Sequence, residues 1–239
     1  MIYLIGVEHR VQSIPVGGEE TADQNKYRLC LEQAIQQYQP TVVAEEYSED
    51  ALKRSELLGN RPQEFFTRKI TTARNVKHVL CDPDLKTKYS MGYQERTGWA
   101  MQISRLSMRD SRLDRRLLPA ALEVLKDFPL REKYWLRQLK DVLGQEVVFV
   151  CGDYHVDTFG VRLKDNGIPF QVVERQIGMP AELIEESEQI KAYIERNSEY
   201  VEHVFQEILK LNSGKIRPLF TFDEEESGPA PSDRETNFS

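Results

Sequence analysis

The chain has 239 residues, of which 40% are hydrophobic and 30% are charged, and its net charge at pH 7 is −7. This length and composition are typical of a globular protein, and one domain accounts for them. The negative charge argues against a protein that coats nucleic acid, so nucleic acid is an unlikely partner. No apolar run approaches the ~20 residues that a membrane-spanning helix needs, so no membrane contact is expected.

The amino-terminal segment and the cysteines indicate the cytoplasm. Residues 1–5 have no basic stretch before their apolar run and no small-residue cleavage site after it, so they predict a strand and not a signal peptide. The three cysteines, Cys30, Cys81 and Cys151, lie inside apolar stretches. An odd number in such positions is typical of buried thiols and not of a disulfide framework.

The first 46 residues have the pattern strand, helix, strand. The apolar run Ile2–Ile5 ends at Gly6, and Thr41–Ala44 forms a second apolar run. Between Tyr27 and Tyr38 the apolar residues recur every three or four positions, which predicts a helix. Continuous apolar strands are typical of parallel sheets covered on both faces. We therefore predict a right-handed βαβ unit.

The middle of the chain, about residues 49–143, is predicted to be a mostly helical cap or flank that also contains a strand at Val76–Cys81. Gly and Pro interrupt helical patterns, so breaks are expected at Gly59–Pro62, near Gly92 and Gly98, and at Pro119 and Pro129.

A second βαβ unit follows this middle region. The run Val147–Cys151 predicts a strand, residues 157–164 a helix that stops at Asn166-Gly167, and Ile168–Val173 the next strand. The whole pattern predicts an α/β fold with a central, mostly parallel sheet flanked by helices, in a single domain that spans residues 1–222.

From Pro180 to about Leu211 the sequence predicts one or two amphipathic helices that cover a sheet face or a second copy of the chain in a homo-oligomer. Their apolar positions are Ile190, Tyr193, Ile194, Val201, Val204, Phe205 and Ile208. Residues 223–239 are acidic and then rich in Pro and Ser, which predicts a flexible tail.

Two of the four histidines stand in a Gly-x-x-His motif, namely Gly6 to His9 and Gly152 to His155. Composition alone predicts roughly 0.2 such motifs in a chain of this length. Both motifs begin where an apolar strand ends, and ligands of open parallel sheets bind at the carboxyl ends of the strands. The glycine is expected to let the backbone turn sharply off the strand. We therefore predict that both imidazoles face one pocket, the alternative being two structural histidines.

Carboxylates at strand ends are further candidates for the same pocket. Glu45 and Glu46 end the second strand, where alternation directs their side chains to opposite sides. Two histidines and one of these carboxylates match a divalent-metal ligand set with positions left for water. A solvated acidic pair is the alternative. Asp82, before Pro83, is a weaker candidate for the same sheet edge.

Other polar residues are assigned structural roles. His78 precedes a strand and His203 lies on the last amphipathic helix, so both are left out of the site. A helix over residues 105–116 is expected to present a cationic stripe that receives phosphate or, as the favoured interpretation, a salt-bridged face, because aspartates interleave with it. Its arginines are Arg105, Arg109, Arg112 and Arg116.

These motifs resemble the TraB/TIKI superfamily, which includes erythromycin esterase-like and ChaN-like proteins. The resemblance spans about residues 2–174 and rests on Gly6-Val7-Glu8-His9, on Pro40-Thr41-Val42-Val43-Ala44-Glu45-Glu46, on Arg131, on Gly152-Asp153-Tyr154-His155 and on Gly167-Ile168-Pro169. The chain departs from TraB-like members at Glu132, where they tend to have Asn, and it lacks the membrane segments that they often carry.

The resemblance implies a hydrolase that cleaves a peptide, an ester or a related bond of a small-molecule or peptide substrate. It implies His9, Glu46, Arg131 and His155 as active-site residues, with Glu45 as the alternate carboxylate. In our first hypothesis the two histidines and Glu46 hold Mn, Co, Zn or Fe, and Glu8, Glu45 or Asp153 is the base. Arg131 then stabilises negative charge on the substrate, unless it forms a surface ion pair with Glu132 or a neighbour.

Two alternatives remain open at this point. A metal-free hydrolase uses one histidine as general base, oriented by glutamate, as the esterase branch suggests. A binding or regulatory protein captures iron or haem without breaking a bond, as the ChaN branch suggests.

Overall fold

The computed structural model describes residues 1–58, 63–106 and 114–212. Within these ranges the strands are β1 (Ile2–Val7), β2 (Ser13–Pro15), β3 (Val42–Glu45), β4 (Gln63–Phe65), β5 (Lys77–Leu80), β6 (Val147–Gly152) and β7 (Phe170–Ile177). The helices are α1 (Ala22–Tyr38), α2 (Glu49–Leu58), α3 (Phe66–Arg74), α4 (Leu85–Ser90), α5 (Glu95–Arg105), α6 (Leu117–Leu122), α7 (Phe128–Gln138), α8 (Tyr154–Asp165) and α9 (Ala181–Asn212).

Five strands form one sheet in the order β5-β3-β6-β1-β7, and every neighbouring pair is parallel. This confirms the predicted α/β fold with a central parallel sheet. The two predicted βαβ units interleave, because β6 lies between β1 and β3 and β1 lies between β6 and β7. Since all five strands run the same way, their carboxyl ends meet at one edge.

Both faces of the sheet are covered by helices. Successive residues of β1 alternate, so Ile2 and Leu4 join the core under α7 and α8, whereas Ile5 and Val7 join the core under α1 and α3. Burial on both sides explains why the three inner strands, β1, β3 and β6, are continuous apolar runs in the sequence. Trp135 of α7, Phe149 of β6 and Phe159 of α8 are large, fully buried side chains on the first face.

A third apolar cluster joins α5 and α6 to α9. The apolar stripe of α9 packs there, through residues such as Val201, Val204 and Phe205, and not on the sheet. Helix α9 is kinked at Asn197, whose φ of −131° is not helical. Of the one or two amphipathic helices predicted here, the structure has two helical segments joined at this kink. Along the described part of the chain, none of the helices combines the length and the apolar character needed to cross a membrane.

Several predicted helix breaks need correction. Gly92 does end a turn, with a φ of 80°, but Gly98 lies inside α5. Pro119 lies in the first turn of α6 and Pro129 in the first turn of α7, where a missing backbone N–H is tolerated. A π-helical turn at Glu123–Asp127 joins these two helices. The predicted break at residues 59–62 lies outside the described residues.

The predicted arginine helix is also wrong in part. Helix α5 ends at Arg105, and the following Leu106 is extended, so Arg105 and Arg116 do not lie on one continuous helix. Arg109 and Arg112 lie outside the described residues, as do the predicted domain end at residue 222 and the acidic tail.

Two features of the sheets were not predicted. A small antiparallel pair, β2 with β4, follows the short 3₁₀ turn His9–Gln12. Strand β7 also continues to Ile177, four residues beyond its predicted end. Because β7 is longer, the chain enters α9 beside the carboxyl edge of the sheet.

Candidate functional site

The two motif histidines converge on one carboxylate at the carboxyl edge of the sheet. His9 follows β1, Glu46 follows β3 and His155 lies in the first turn of α8 after β6. The Nε2 atoms of His9 and His155 each lie 3.7 Å from Glu46 Oε1. The predicted convergence of the two rings is therefore observed, although almost 150 positions separate them.

Glu46 is held in place from two sides. Its Oε1 accepts a hydrogen bond from Arg131 Nη2 at 2.5 Å, and its Oε2 accepts one from the backbone N–H of Gly152 at 2.7 Å. Burial opposes ionisation of this carboxyl, but the positive charge of Arg131 and the nearby histidines outweigh it and hold the pKa of Glu46 well below its ordinary value. Glu46 is therefore a fixed negative charge.

Arg131 bridges two buried carboxylates. Besides Glu46 it binds Asp82, whose Oδ1 lies 2.9 Å from Arg131 Nε. Asp82 also forms an ion pair with Lys88 and accepts a hydrogen bond from the Trp135 indole. The alternative of a surface ion pair with Glu132 is wrong, because the arginine points into the site. Asp82 thus reaches the site edge, as the weaker of the two carboxylate predictions allowed, but it acts through Arg131.

One edge of Arg131 remains weakly engaged. Its Nη1 lies 3.4 Å from His155 Nε2 and 3.5 Å from the Tyr93 hydroxyl. Both contacts are long for hydrogen bonds to a guanidinium. Nη1 is therefore the part of Arg131 that can donate to a bound molecule.

His155 is oriented by a carboxylate that the sequence did not reveal. Its Nδ1 lies 3.0 Å from Glu132 Oε1, and Glu132, only 1% exposed, also accepts from Arg162 Nε at 3.2 Å. The imidazole packs against the Phe128 ring at a tilt of 35°, with ring centroids 3.8 Å apart. Since a carboxylate accepts, Nδ1 carries the hydrogen, and in the neutral ring Nε2 then presents its lone pair to the cavity. Glu132 had been noted only as a departure from the TraB-like pattern.

His9 is oriented by an amide instead. Its Nδ1 lies 2.7 Å from Gln12 Oε1, and 43% of its side-chain surface is exposed. Burial of the ring opposes the charged form, but the Glu46 carboxylate more than compensates and raises the pKa of His9 to about 9. Gln12 was missed because a lone glutamine in a turn carries no sequence signal.

Glu45 faces away from the two histidines, as strand alternation predicted. It binds Gln12 Nε2 at 2.6 Å, the Thr67 hydroxyl at 2.8 Å and His78 Nε2 at 3.0 Å. Glu45 and Glu46 therefore bind different side chains. This placement does not support the prediction of Glu45 as a base. His78 has the structural role predicted for it.

The carboxylates of the two remaining candidate bases, Asp153 and Glu8, are bound to other residues. Asp153 accepts the backbone N–H of Gln176 at 2.9 Å and binds Arg175, so its side chain is turned toward β7. This placement removes Asp153 from the candidate bases. Glu8 lines the cavity, but its Oε2 accepts from the backbone and side chain of Arg10.

The motif glycines are required for close approach and not, as predicted, for a sharp turn. Gly6 and Gly152 both lie within strands, and neither has a positive φ. A Cβ at Gly6 would overlap Asp153 and Val156. A Cβ at Gly152 would lie 3.0 Å from His9 Nε2. Glycine therefore suits both positions because neighbouring side chains, core and structural ones at Gly6 and those of the site at Gly152, lie in the space that a side chain would need.

The site opens into a cavity of about 220 Å³. Its polar floor consists of His9, Glu46, Arg131 and His155. Apolar side chains from the middle region and from the start of α9 form the walls, among them Val124, Phe128, Met179 and Leu183. The cavity therefore combines convergent polar groups with apolar walls, as small-molecule sites commonly do.

The donors present do not fit the predicted divalent metal ion well. Both Glu46 oxygens already have donors, and the guanidinium of Arg131 occupies Oε1, where the ion would bind. A permanent cation at that distance opposes a second one. Among the described residues no group of three or more His, Cys, Asp or Glu side chains is arranged to hold a metal.

Comparisons of the chain with protein-family models, with curated proteins and with solved structures found no match. The resemblance to the TraB/TIKI superfamily therefore depends on the quoted motifs alone and stays a prediction.

Proposed function

We propose that the protein is a hydrolase in which His155 and His9 act as general base and general acid, without a metal ion. The observation that supports this best is the placement of both Nε2 atoms 3.7 Å from one oxygen of Glu46, inside a cavity. Each ring is held at Nδ1 by its own acceptor, Glu132 or Gln12. Two imidazoles oriented separately around one carboxylate suit proton transfer in both directions.

His155 is the base in this proposal. The Glu132 carboxylate holds the hydrogen on Nδ1, so the lone pair on Nε2 faces the cavity. The adjacent ring of Phe128 limits the rotation of the imidazole. A water molecule in the cavity would give its proton to Nε2 as its oxygen attacks the substrate carbonyl carbon.

His9 is the acid. The adjacent carboxylate of Glu46 favours the imidazolium form, which carries a proton on Nε2. When the carbonyl–leaving-group bond breaks, that proton passes to the leaving oxygen or nitrogen. The water proton taken by His155 and the proton given by His9 balance, and exchange with solvent restores both rings.

Arg131 stabilises the negative charge that develops on the carbonyl oxygen. Asp82 accepts from Nε and Glu46 accepts from Nη2, so Nη1 is left to donate toward the cavity. A donor fixed in advance by buried partners needs little reorganisation during the reaction. Substrates are small molecules or peptides with an ester, amide or related bond.

The proposal is tested with purified protein and a panel of p-nitrophenyl esters, peptide anilides and p-nitrophenyl phosphate. His155→Gln and His9→Gln should each lower kcat about 100-fold or more, as expected for loss of a general base or acid. His203→Gln is the control, because His203 lies on the exposed side of α9. Absence of hydrolysis across the panel, or equal rates in all four proteins, would contradict the proposal.

A metal-dependent hydrolase with the same residues is the second candidate. It is favoured by the two N–O separations of 3.7 Å, since ligand atoms of a tetrahedral zinc site with bonds of ~2.1 Å lie about 3.4 Å apart. His9, His155 and Glu46 would hold the ion, and the ion would lower the pKa of a bound water. This candidate requires Arg131 to move away from Glu46 Oε1.

Metal analysis separates the two candidates. In the metal-free case, protein dialysed against a chelator keeps its activity and contains no stoichiometric Mn, Co, Zn or Fe. Activity that chelator abolishes and one of these ions restores would replace the first proposal with the second. Iron or haem binding without catalysis is the third alternative, and a Soret band on haem addition to an inactive protein would favour it.

A further inference from the structure

A buried polar network lies beneath His9, on the side opposite the cavity. Gln12, Glu45 and Thr67 are at most 1% exposed. Gln12 links His9 to Glu45, with Oε1 2.7 Å from His9 Nδ1 and Nε2 2.6 Å from Glu45 Oε1. Buried polar groups require partners, so this chain of contacts determines which atom donates at each step.

The donor and the acceptor of each hydrogen bond can be assigned by beginning at Glu45. Its carboxylate accepts from the Thr67 hydroxyl and from His78 Nε2, and it accepts only. The Gln12 group that faces Glu45 must therefore be the NH₂, which places the carbonyl oxygen of Gln12 toward His9. An accepting oxygen at 2.7 Å requires a hydrogen on His9 Nδ1.

We infer that Glu45 and Gln12 are positioning residues that fix the tautomer and orientation of His9. They keep the hydrogen on Nδ1 and aim Nε2 at Glu46. The catalytic consequence depends on the proposed function, but the tautomer does not, so the two can fail separately. The strand-end pair Glu45-Glu46 thus serves both sides of one imidazole: Glu46 faces Nε2, and Glu45 acts on Nδ1 through Gln12.

Both histidines of the site are then oriented by an acceptor at Nδ1, but the two acceptors are chemically different. His155 Nδ1 binds the Glu132 carboxylate directly, whereas a neutral amide stands between His9 and Glu45. A neutral amide orients the ring without placing a charge against it. This difference leaves Glu46 as the carboxylate nearest to the His9 ring in the contacts described.

The test is nitrogen NMR on protein labelled with ¹⁵N-histidine. The four histidines are assigned by single His→Gln variants, and the ring nitrogens are observed through the carbon-bound ring protons. At the basic end of its titration, His9 is expected as the Nδ1–H tautomer, the reverse of the preference of a free imidazole side chain in water. Neutral His9 found in the Nε2–H form would overturn the inference.

Variants of the network distinguish a role in positioning His9 from a general effect of changing buried side chains. Gln12→Leu and Glu45→Leu should return neutral His9 to the Nε2–H form, while His155 keeps its tautomer because Glu132 is untouched. Glu45→Gln, which retains an accepting oxygen for Gln12, should preserve the wild-type pattern. Thr71→Val is the control for loss of a buried hydroxyl, since Thr71 bonds only to backbone carbonyls within α3. An unchanged His9 tautomer in Gln12→Leu would refute the inference.

Activity is the second readout. If the proposed hydrolysis is observed, Gln12→Leu should lower kcat about 10-fold with little change in KM, and Glu45→Gln should restore most of what Glu45→Leu loses. If the tautomer responds as expected but no hydrolysis is detected, the positioning role stands and the proposed function fails. If hydrolysis is observed and kcat of Gln12→Leu equals that of the wild type, the positioning role fails.

Discussion

The backbone N–H of Gly152 donates a hydrogen bond of 2.7 Å to Oε2 of Glu46. This bond joins the end of β6 to the residue that follows β3, across two neighbouring strands of the sheet. It orients the carboxylate that both histidines face. The glycine of the second Gly-x-x-His motif is therefore part of the site through its main chain, and a side chain there would disturb the site directly.

Gly152→Ala should disrupt the site more than the fold. The new methyl group would lie 3.0 Å from His9 Nε2 and 3.4 Å from Glu46 Oε2, so the His9 ring has to move. We expect a loss of about 1–3 kcal/mol in the free energy of unfolding, as for other overpacked positions, together with loss of most of the proposed activity. Gly144→Ala is the control, because no atom lies within 4 Å of a Cβ there. Equal activity in the two variants would contradict the close-approach explanation.

Arg131→Met should destabilise the protein strongly. The substitution removes the guanidinium that two buried carboxylates, Glu46 and Asp82, share, and it leaves Lys88 beside Asp82 and the two histidines beside Glu46. Breaking a buried ion pair by removing one partner typically costs about 3–5 kcal/mol. Urea denaturation followed by tryptophan fluorescence measures this change.

Arg137→Met is the matched control for that experiment. Arg137 lies on the same helix but is exposed, and exposed substitutions usually change stability by less than about 0.5 kcal/mol. Similar losses in the two variants would contradict the explanation by the buried ion pairs of Arg131.

Glu132→Leu should impair His155 as a base. Without the carboxylate, Nδ1 loses its acceptor and the ring can adopt the other tautomer, which removes the lone pair from the cavity side. We expect kcat to fall about 100-fold, within the usual contribution of a general base. Glu132→Gln retains an accepting oxygen and should keep more activity than Glu132→Leu. The reverse order of the two variants would exclude an orienting role for residue 132.

Asp127 predicts a pH dependence of stability. Burial raises the pKa of this carboxyl to about 7, although the indole of Trp99 and two backbone N–H groups donate to it. Between the unfolded pKa, about 3.9, and the folded pKa, the folded state holds more protons than the unfolded state. The contribution of Asp127 to stability is therefore complete at acidic pH and is lost as the pH rises toward 7.

Urea denaturation of the wild type and of Asp127→Asn between pH 4.5 and 8 measures this effect. The variant has no carboxyl at this position, so the stability of the wild type relative to the variant should decrease across that range by a few kcal/mol, on the order of 1.4 kcal/mol per unit of pKa shift. A constant difference between the two proteins would mean that Asp127 does not hold its proton in the folded state.

The sequence by itself determined the sheet and the edge at which the site lies. The apolar runs of β1, β3 and β6 predict strands buried on both faces, because a parallel sheet requires apolar side chains in both directions. The ends of these strands then bring His9, Glu46 and His155 to one edge, since all strands run the same way. Strand alternation also separates Glu45 from Glu46, because adjacent side chains point to opposite sides.

Only the tertiary structure decided what each of these side chains binds. Arg131 and Glu132 are neighbours on α7, yet one binds Glu46 and Asp82 and the other holds His155. Gln12 gains its role from a contact with a residue 33 positions away. Such partners depend on how α7 and the His9 turn pack against the sheet, and hydrogen bonds between distant segments leave no periodic pattern in a sequence. The same packing brings Arg131 onto Glu46, where sequence reasoning expected a metal ion.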